Sequence, residues 1–298
     1  MGWSWNPSPE SGISMQMIAA GGLEFETAVA GEGDLLALML HGFPELNYSW
    51  RHQIPMLVAR GYRVWAPNLR GYGATSRPQG VREYAVDRLV GDIVALIRAS
   101  EAKEVLLIAH DWGALIAWAV AILHPDLIDR LVIMNVPHPM AFRREMQHWR
   151  QKRKSWYIFF FQLPRLPEWM LGARGARAIG RAFTGSACHP ERFAASDVQV
   201  YRDAALRPGQ LGAMVNYYRA LFRHRDAVDL GDARVSVPTL MVWGEQDIAI
   251  DIHCTDDTDQ WVDDLTLVRL PNASHWVQQD QPEEVNAALA DWLDRRAV

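Results

Sequence analysis

The sequence predicts an α/β architecture: a mostly parallel sheet flanked by helices on both faces, with a helical segment inserted between two of its strands. Three observations carry this. Short β-rich apolar runs alternate with helical patterns along the chain. Several runs are apolar at nearly every position, as strands covered on both faces are. The rhythm breaks once, between Pro137 and about Asp232, where an Arg-rich and aromatic-rich stretch reads as several helices without a buried strand.

The expected strands are Leu35 to Leu40, Tyr62 to Ala66, Glu104 to Ala109, Arg130 to Asn135, Pro238 to Trp243 and Leu265 to Leu270. An amphipathic helix from about Pro282 to Arg296 closes the chain, with Val285, Leu289, Trp292 and Leu293 on one face. With no flexible linker or internal repeat, the division expected is a core in two parts, 1–136 and 233–298, with a helical cap over 137–232.

Composition narrows the function classes. The 298 residues are 49% hydrophobic and 22% charged, which is globular composition, and the net charge of −5 argues against a nucleic-acid surface, which needs clustered Lys and Arg. Cys188 and Cys254 lie far apart without metal or redox spacing. The opening MGWSWNPSPESG has neither the basic start nor the apolar run of a signal peptide. No segment approaches the ~20 apolar residues of a spanning helix, so the expectation is a cytoplasmic protein with no membrane span.

The chemistry concentrates at Ala109-His-Asp-Trp-Gly113, where a buried strand runs into a helix. Small residues on both sides of a central reactive residue suit a sharp strand-to-helix turn. Here the central residue is Asp111, a carboxylate that can attack a saturated carbon to form an ester. It also stands at a helix N-terminus, which favours an anion. A simple helix N-cap is the competing role for an Asp there.

Three further loops sharpen the choice. After the strand Leu35 to Leu40 comes His41-Gly-Phe-Pro44, so that the Phe43 and Trp112 backbone N–H groups are candidates for an oxyanion hole. Downstream, Gly244-Glu-Gln-Asp247 and Pro271-Asn-Ala-Ser-His275-Trp276 each follow a strand, giving the order nucleophile, acid, histidine. Asp247 sits at the expected loop position, with Glu245 and Asp251 as rivals. His110 is expected to be structural.

These motifs, with Ser49-Trp-Arg-His-Gln-Ile-Pro55 and Asn68-Leu-Arg-Gly-Tyr-Gly73, resemble those of the epoxide hydrolases of the α/β-hydrolase superfamily, and the likeness runs from about Leu23 to Leu293. The resemblance implies an α/β-hydrolase fold with a helical lid. It also implies two lid tyrosines donating to the epoxide oxygen: Tyr157, within Ser155-Trp-Tyr-Ile-Phe-Phe-Phe-Gln-Leu-Pro164, and Tyr218, within Asn216-Tyr-Tyr-Arg219, where Tyr217 is an adjacent competitor. His41, Trp112, Phe161 and Trp276 are expected against the substrate. The implied partner is a small-molecule epoxide, opened by Asp111 and released as a diol by water that neutral His275, oriented by Asp247, activates; no metal or other cofactor is required.

A haloalkane or haloacid dehalogenase shares the Asp nucleophile. Some haloalkane dehalogenases place Asn where Phe43 stands; fluoroacetate dehalogenases place Arg where Trp112 stands and Trp where Tyr157 stands. A ligand receptor on the same scaffold is a further class. The natural epoxide and the oligomeric state stay open.

Overall fold

The computed structural model describes residues 2–296. One eight-stranded sheet organises the chain, in the order β1-β2-β4-β3-β5-β6-β7-β8. Its strands are β1 (Ser14–Ala20), β2 (Leu23–Ala30), β3 (Leu35–Leu40), β4 (Arg63–Pro67), β5 (Glu104–His110), β6 (Arg130–Met134), β7 (Thr239–Gly244) and β8 (Leu265–Leu270). From β4 through β8 the pairing is parallel, whereas β1 and β2 are antiparallel additions at one edge. The six strands expected from sequence are present, within a residue at their ends. The β1–β2 hairpin was not expected; its link is Gly21-Gly22, both with positive φ, which is the backbone a two-residue hairpin turn requires.

The helices are α1 (Ile54–Ala59), α2 (Val86–Ser100), α3 (Trp112–Leu123), α4 (Pro139–Glu145), α5 (Trp149–Lys154), α6 (Trp156–Phe160), α7 (Leu166–Thr184), α8 (Ala195–Ala205), α9 (Gln210–Arg223), α10 (Val277–Asp280) and α11 (Pro282–Asp294). Helix α7 is kinked at Ala173–Ala176, where four residues leave helical φ/ψ. No helix among the described residues is long and apolar enough to cross a membrane.

Strand periodicity explains the layers. Leu36, Leu38 and Leu40 of β3 and Leu107 and Ala109 of β5 face α2 and α3. The intervening Ala37, Met39, Leu106 and Ile108 face α1 and α11. Both sets are buried, which is why these runs are apolar at every position. Helix α3 is apolar nearly all round because it is covered on most sides, and the expected α11 face, Val285, Leu289, Trp292 and Leu293, closes the opposite layer. Each large apolar side chain buried this way contributes about 1.5–3 kcal/mol.

Helices α4 to α9 follow β6 and precede β7, and they cover the carboxyl end of the sheet. Their inner side chains, among them Ile179, Phe183, Tyr201 and Met214, merge with the α2–α3 core layer. The strand order reverses at β3, whose neighbours are β4 and β5, so the loops leaving β3 and β5 diverge and leave a crevice at their carboxyl ends. Leu40 pairs with Ala109, which sets His41-Gly-Phe43 beside His110-Asp111.

The close fit of these two loops has a cost that can be measured. A Cβ on Gly113 would collide with the backbone oxygens of Leu40 and His41. Gly113→Ala is expected to destabilise the protein by about 1–3 kcal/mol, the usual range for overpacking. Urea unfolding followed by tryptophan fluorescence measures this, and an unchanged midpoint would contradict the fit.

Candidate active site

Asp111 follows β5 with φ 48° and ψ −122°, a region L-residues rarely occupy. The turn lifts its carboxylate off the sheet at the first turn of α3. Although Asp111 holds the N-cap position, its side chain makes no capping bond. Its Oδ1 instead accepts from the Phe43 N–H at 2.6 Å, and Oδ2 lies 3.5 Å from His275 Nε2. Gly42 makes the approach possible, because a Cβ there would overlap the Asp111 side chain.

Behind His275 stands Asp247, whose Oδ2 is 2.7 Å from Nδ1. Neither rival acid holds this place: the Asp251 side chain accepts from the His253 N–H, and Glu245 makes no bond to the ring. The second Asp247 oxygen accepts from the Ala249 and Ile250 N–H groups at 2.7 and 2.9 Å. Asn135, just past β6, donates from Nδ2 to Asp247 Oδ2 at 2.8 Å and accepts from the Gly244 N–H at 2.9 Å. This residue was missed as part of the site. Its signal was an amide at the end of a buried strand, with φ 49°, a conformation Asn tolerates better than most residues.

Glu45 was also missed. It is fully buried beneath the β3 loop, where Oε2 meets His110 Nδ1 at 2.7 Å and accepts from the Gly42 N–H, while Oε1 accepts from Gln278 and Gln279. His110 Nε2 then donates to the backbone oxygen of His275 at 2.8 Å. Glu45 and His110 thus tie the β3 loop, the β5 turn and the histidine loop together.

Electrostatics follow from this packing. Burial alone would lower the His275 pKa, but the Asp247 and Asp111 carboxylates outweigh it and raise the imidazole to about 10. Burial likewise acts to raise Asp111 and Asp247, and the paired His275 with the N–H donors holds both below the ordinary carboxylate value. At neutral pH the resting ring is therefore protonated between two carboxylates, so the neutral base expected for ester hydrolysis arises only once the charge of Asp111 is removed.

A cavity of about 280 Å³ opens over Asp111, between the sheet and α4 to α9, and its walls are mostly apolar. Trp112, Tyr157 and Tyr218 line it together with Asp111. The two tyrosine rings meet edge to face at 5.9 Å, and burial followed by the Asp111 charge pushes both phenols well above their ordinary value. Tyr217 is turned away, its hydroxyl donating to the Arg70 carbonyl at 2.8 Å in a cluster with Tyr72 and Tyr84.

Three residues expected against substrate have other surroundings. His41 is fully buried: Nδ1 donates to the Gly42 carbonyl, Nε2 accepts from the Leu69 N–H, and burial lowers its pKa to about 4. Trp276 packs on Phe183 and donates to the Ala182 carbonyl and the Ser186 hydroxyl, fastening α7 to the core. Phe161 is 5% exposed and packs edge-on against Phe43 and at a tilt against Tyr218, a residue of the cavity wall. Aromatic type next to a motif suits both a residue that lines the cavity, as Trp112 does, and one that supports its wall from behind.

Comparison with known proteins agrees with this geometry. The family model of the alpha/beta hydrolase fold matches residues 38–282. Epoxide hydrolase 4 of Mus musculus is 37% identical over 279 residues, covering 91% of this chain and 77% of that one. Epoxide hydrolase 2 of Caenorhabditis elegans is 39% identical over 267 residues, 88% of this chain and 74% of that one. The crystal structure of epoxide hydrolase A from Mycobacterium thermoresistibile superposes with a TM-score of 0.84 at 31% identity, over 95% of this chain and 98% of that one. The chain belongs to the α/β hydrolase fold family and, within it, to the epoxide hydrolases.

Proposed function

We propose that this chain converts an epoxide to a vicinal diol through a covalent ester on Asp111. The observation that carries the reading is the pairing, in one mostly apolar cavity, of a carboxylate held at a strand-to-helix turn with two buried tyrosine hydroxyls. A carboxylate suits attack on a saturated carbon, and the tyrosines suit a leaving oxygen that becomes an alkoxide. A departing halide would have no need of a proton.

Asp111 attacks a ring carbon, the C–O bond breaks, and the oxygen develops negative charge between Tyr157 and Tyr218. Ester formation removes the Asp111 charge that had held His275 protonated. The ring then loses its proton, which offsets the proton taken up by the alkoxide, and becomes the neutral base for the second step. Neutral His275, oriented by Asp247, takes a proton from water as the oxygen adds to the ester carbonyl. The Phe43 and Trp112 N–H groups hold the oxyanion; Phe43 already donates to Asp111 Oδ1 at rest. Collapse releases the diol, frees the Asp111 carboxylate and leaves His275 protonated again, so protons balance over the cycle.

The lid tyrosines are tested by Tyr157→Phe and Tyr218→Phe. Loss of one donor to a developing oxyanion costs about 2.7–4 kcal/mol, so ester formation in single turnover should slow by about 10²–10³ in each, with the double variant slowest. A double variant that opened epoxides at the parental rate would remove both assignments.

The division of labour between steps is tested by His275→Gln. With the nucleophile and tyrosines intact, the ester is expected to form, more slowly without the imidazolium proton, and then to persist. Intact-protein mass spectrometry should show one added substrate mass, located in the peptide carrying Asp111. A variant that binds epoxide and is never alkylated would contradict the two-step scheme.

A further inference from the structure

Charge is divided unevenly along this chain. From Pro139 to Arg223, the span of α4 to α9, there are fifteen Lys and Arg against five Asp and Glu, a balance of +10. Since the whole chain is −5, the remainder carries −15. Apolar exposure follows the same division: nine of the twelve large apolar side chains exposed among the described residues lie between Trp149 and Phe222. Trp149, Trp169 and Trp156 are 73%, 71% and 64% exposed, unusual for the largest apolar side chain.

Much of this exposed surface is contiguous. Phe159 and Phe222 meet at 5.6 Å. Arg219, one turn before Phe222, donates to the Leu163 carbonyl at 2.6 Å and pairs with Glu168, which fixes the start of α7 beside the end of α9. Leu166, Trp169 and Met170, spaced i, i+3 and i+4, share one exposed face of α7. Phe159 and Phe222 together line an apolar groove, and its Ile158, Leu221 and Arg225 also wall the catalytic cavity. Exposed Arg150, Lys152 and Arg153 adjoin Trp149 in sequence, Arg165 adjoins Leu166, and Arg223 and Arg225 follow Phe222.

We infer that this outer lid face docks on an anionic lipid bilayer, with its tryptophans at the headgroup level and its arginines and lysines over the lipid anions. Contiguous apolar patches of this kind mark interaction surfaces. Tryptophan belongs at the boundary of water and lipid, and basic residues flanking it add attraction to anionic lipid that salt weakens. The charge division orients the molecule, drawing the basic α4–α9 span toward the membrane and holding the acidic remainder away. The same charge opposes a lid-to-lid dimer, which would bring two positive faces together. Resting on the epoxide reading, the shared wall of groove and cavity gives a lipophilic epoxide a short path from the bilayer to Asp111.

The test sediments the full chain with phosphatidylcholine vesicles containing or lacking phosphatidylserine. Binding should require phosphatidylserine and weaken as salt is added. Arg150→Glu with Arg153→Glu, and separately Trp149→Ser with Trp169→Ser, should each reduce partitioning at least about tenfold. Both should keep the parental turnover of a small water-soluble epoxide and lose any stimulation by these vesicles of a lipophilic one. Vesicle binding without turnover of any epoxide would sustain the docking surface while overturning the catalytic reading. The docking proposal fails if the parent does not bind at low salt, if neither variant changes binding, or if sedimentation equilibrium finds a stable dimer that the tryptophan variant dissociates.

Discussion

The site depends on the backbone of one residue. Asp111 adopts φ 48° and ψ −122° between a buried strand and a buried helix, a conformation that costs on the order of 1–3 kcal/mol and persists because its neighbours leave no alternative. The Gly113 N–H is bound by the His41 carbonyl at 3.0 Å, and Gly42 gives the carboxylate room to reach the Phe43 N–H. The β3–β5 register brings these two loops level. A relaxed turn would return the side chain to an ordinary helix cap and separate the carboxylate from both the N–H donor and the histidine.

The second organising feature is an ordered alternation of charge: Asp111, His275 and Asp247 in line, with Asn135 beyond. The lid is fastened to the acid end of that line. Lys154 donates to the Asp247 and Ile250 carbonyls, and Gln151 exchanges hydrogen bonds with Ala249 and Asp251. Tyr157 follows Lys154 by three residues, so the contacts that fix the acid loop also set the height of a phenol over the cavity. Glu45 and His110 perform the matching task under the other wall.

Much of the parallel sheet was legible because strands covered on both faces must be apolar throughout, and the motif loops fall at their carboxyl ends. The β1–β2 hairpin was harder to see. β1 is largely exposed at the sheet edge, β2 is mostly buried yet mixes Glu24, Glu26 and Thr27 with apolar residues, and the Gly21-Gly22 turn is a short signal. Within the site, Asp111, Asp247 and His275 were marked by their order after successive strands. The resemblance pointed to Tyr218 over Tyr217, whereas the residues alone could not, since the phase of α9 is not legible in two adjacent identical side chains. Glu45 and Asn135 act through bonds to loops distant in sequence, so no local pattern announces Glu45, and Asn135 is marked only by an amide at the end of a buried strand. The protonation of His275 belongs to the same class, since it arises from two carboxylates brought together only by the fold.

The central claim is that an oxygen of Asp111 passes into the product. A single turnover in ¹⁸O-water with enzyme in excess tests it most directly. If water attacks the carbonyl of the Asp111 ester, the first diol leaves largely unlabelled and the heavy oxygen is recovered in the Asp111 peptide. Label in that first diol, with Asp111 remaining light, would mean that water attacks the epoxide itself and that Asp111 is not the covalent nucleophile.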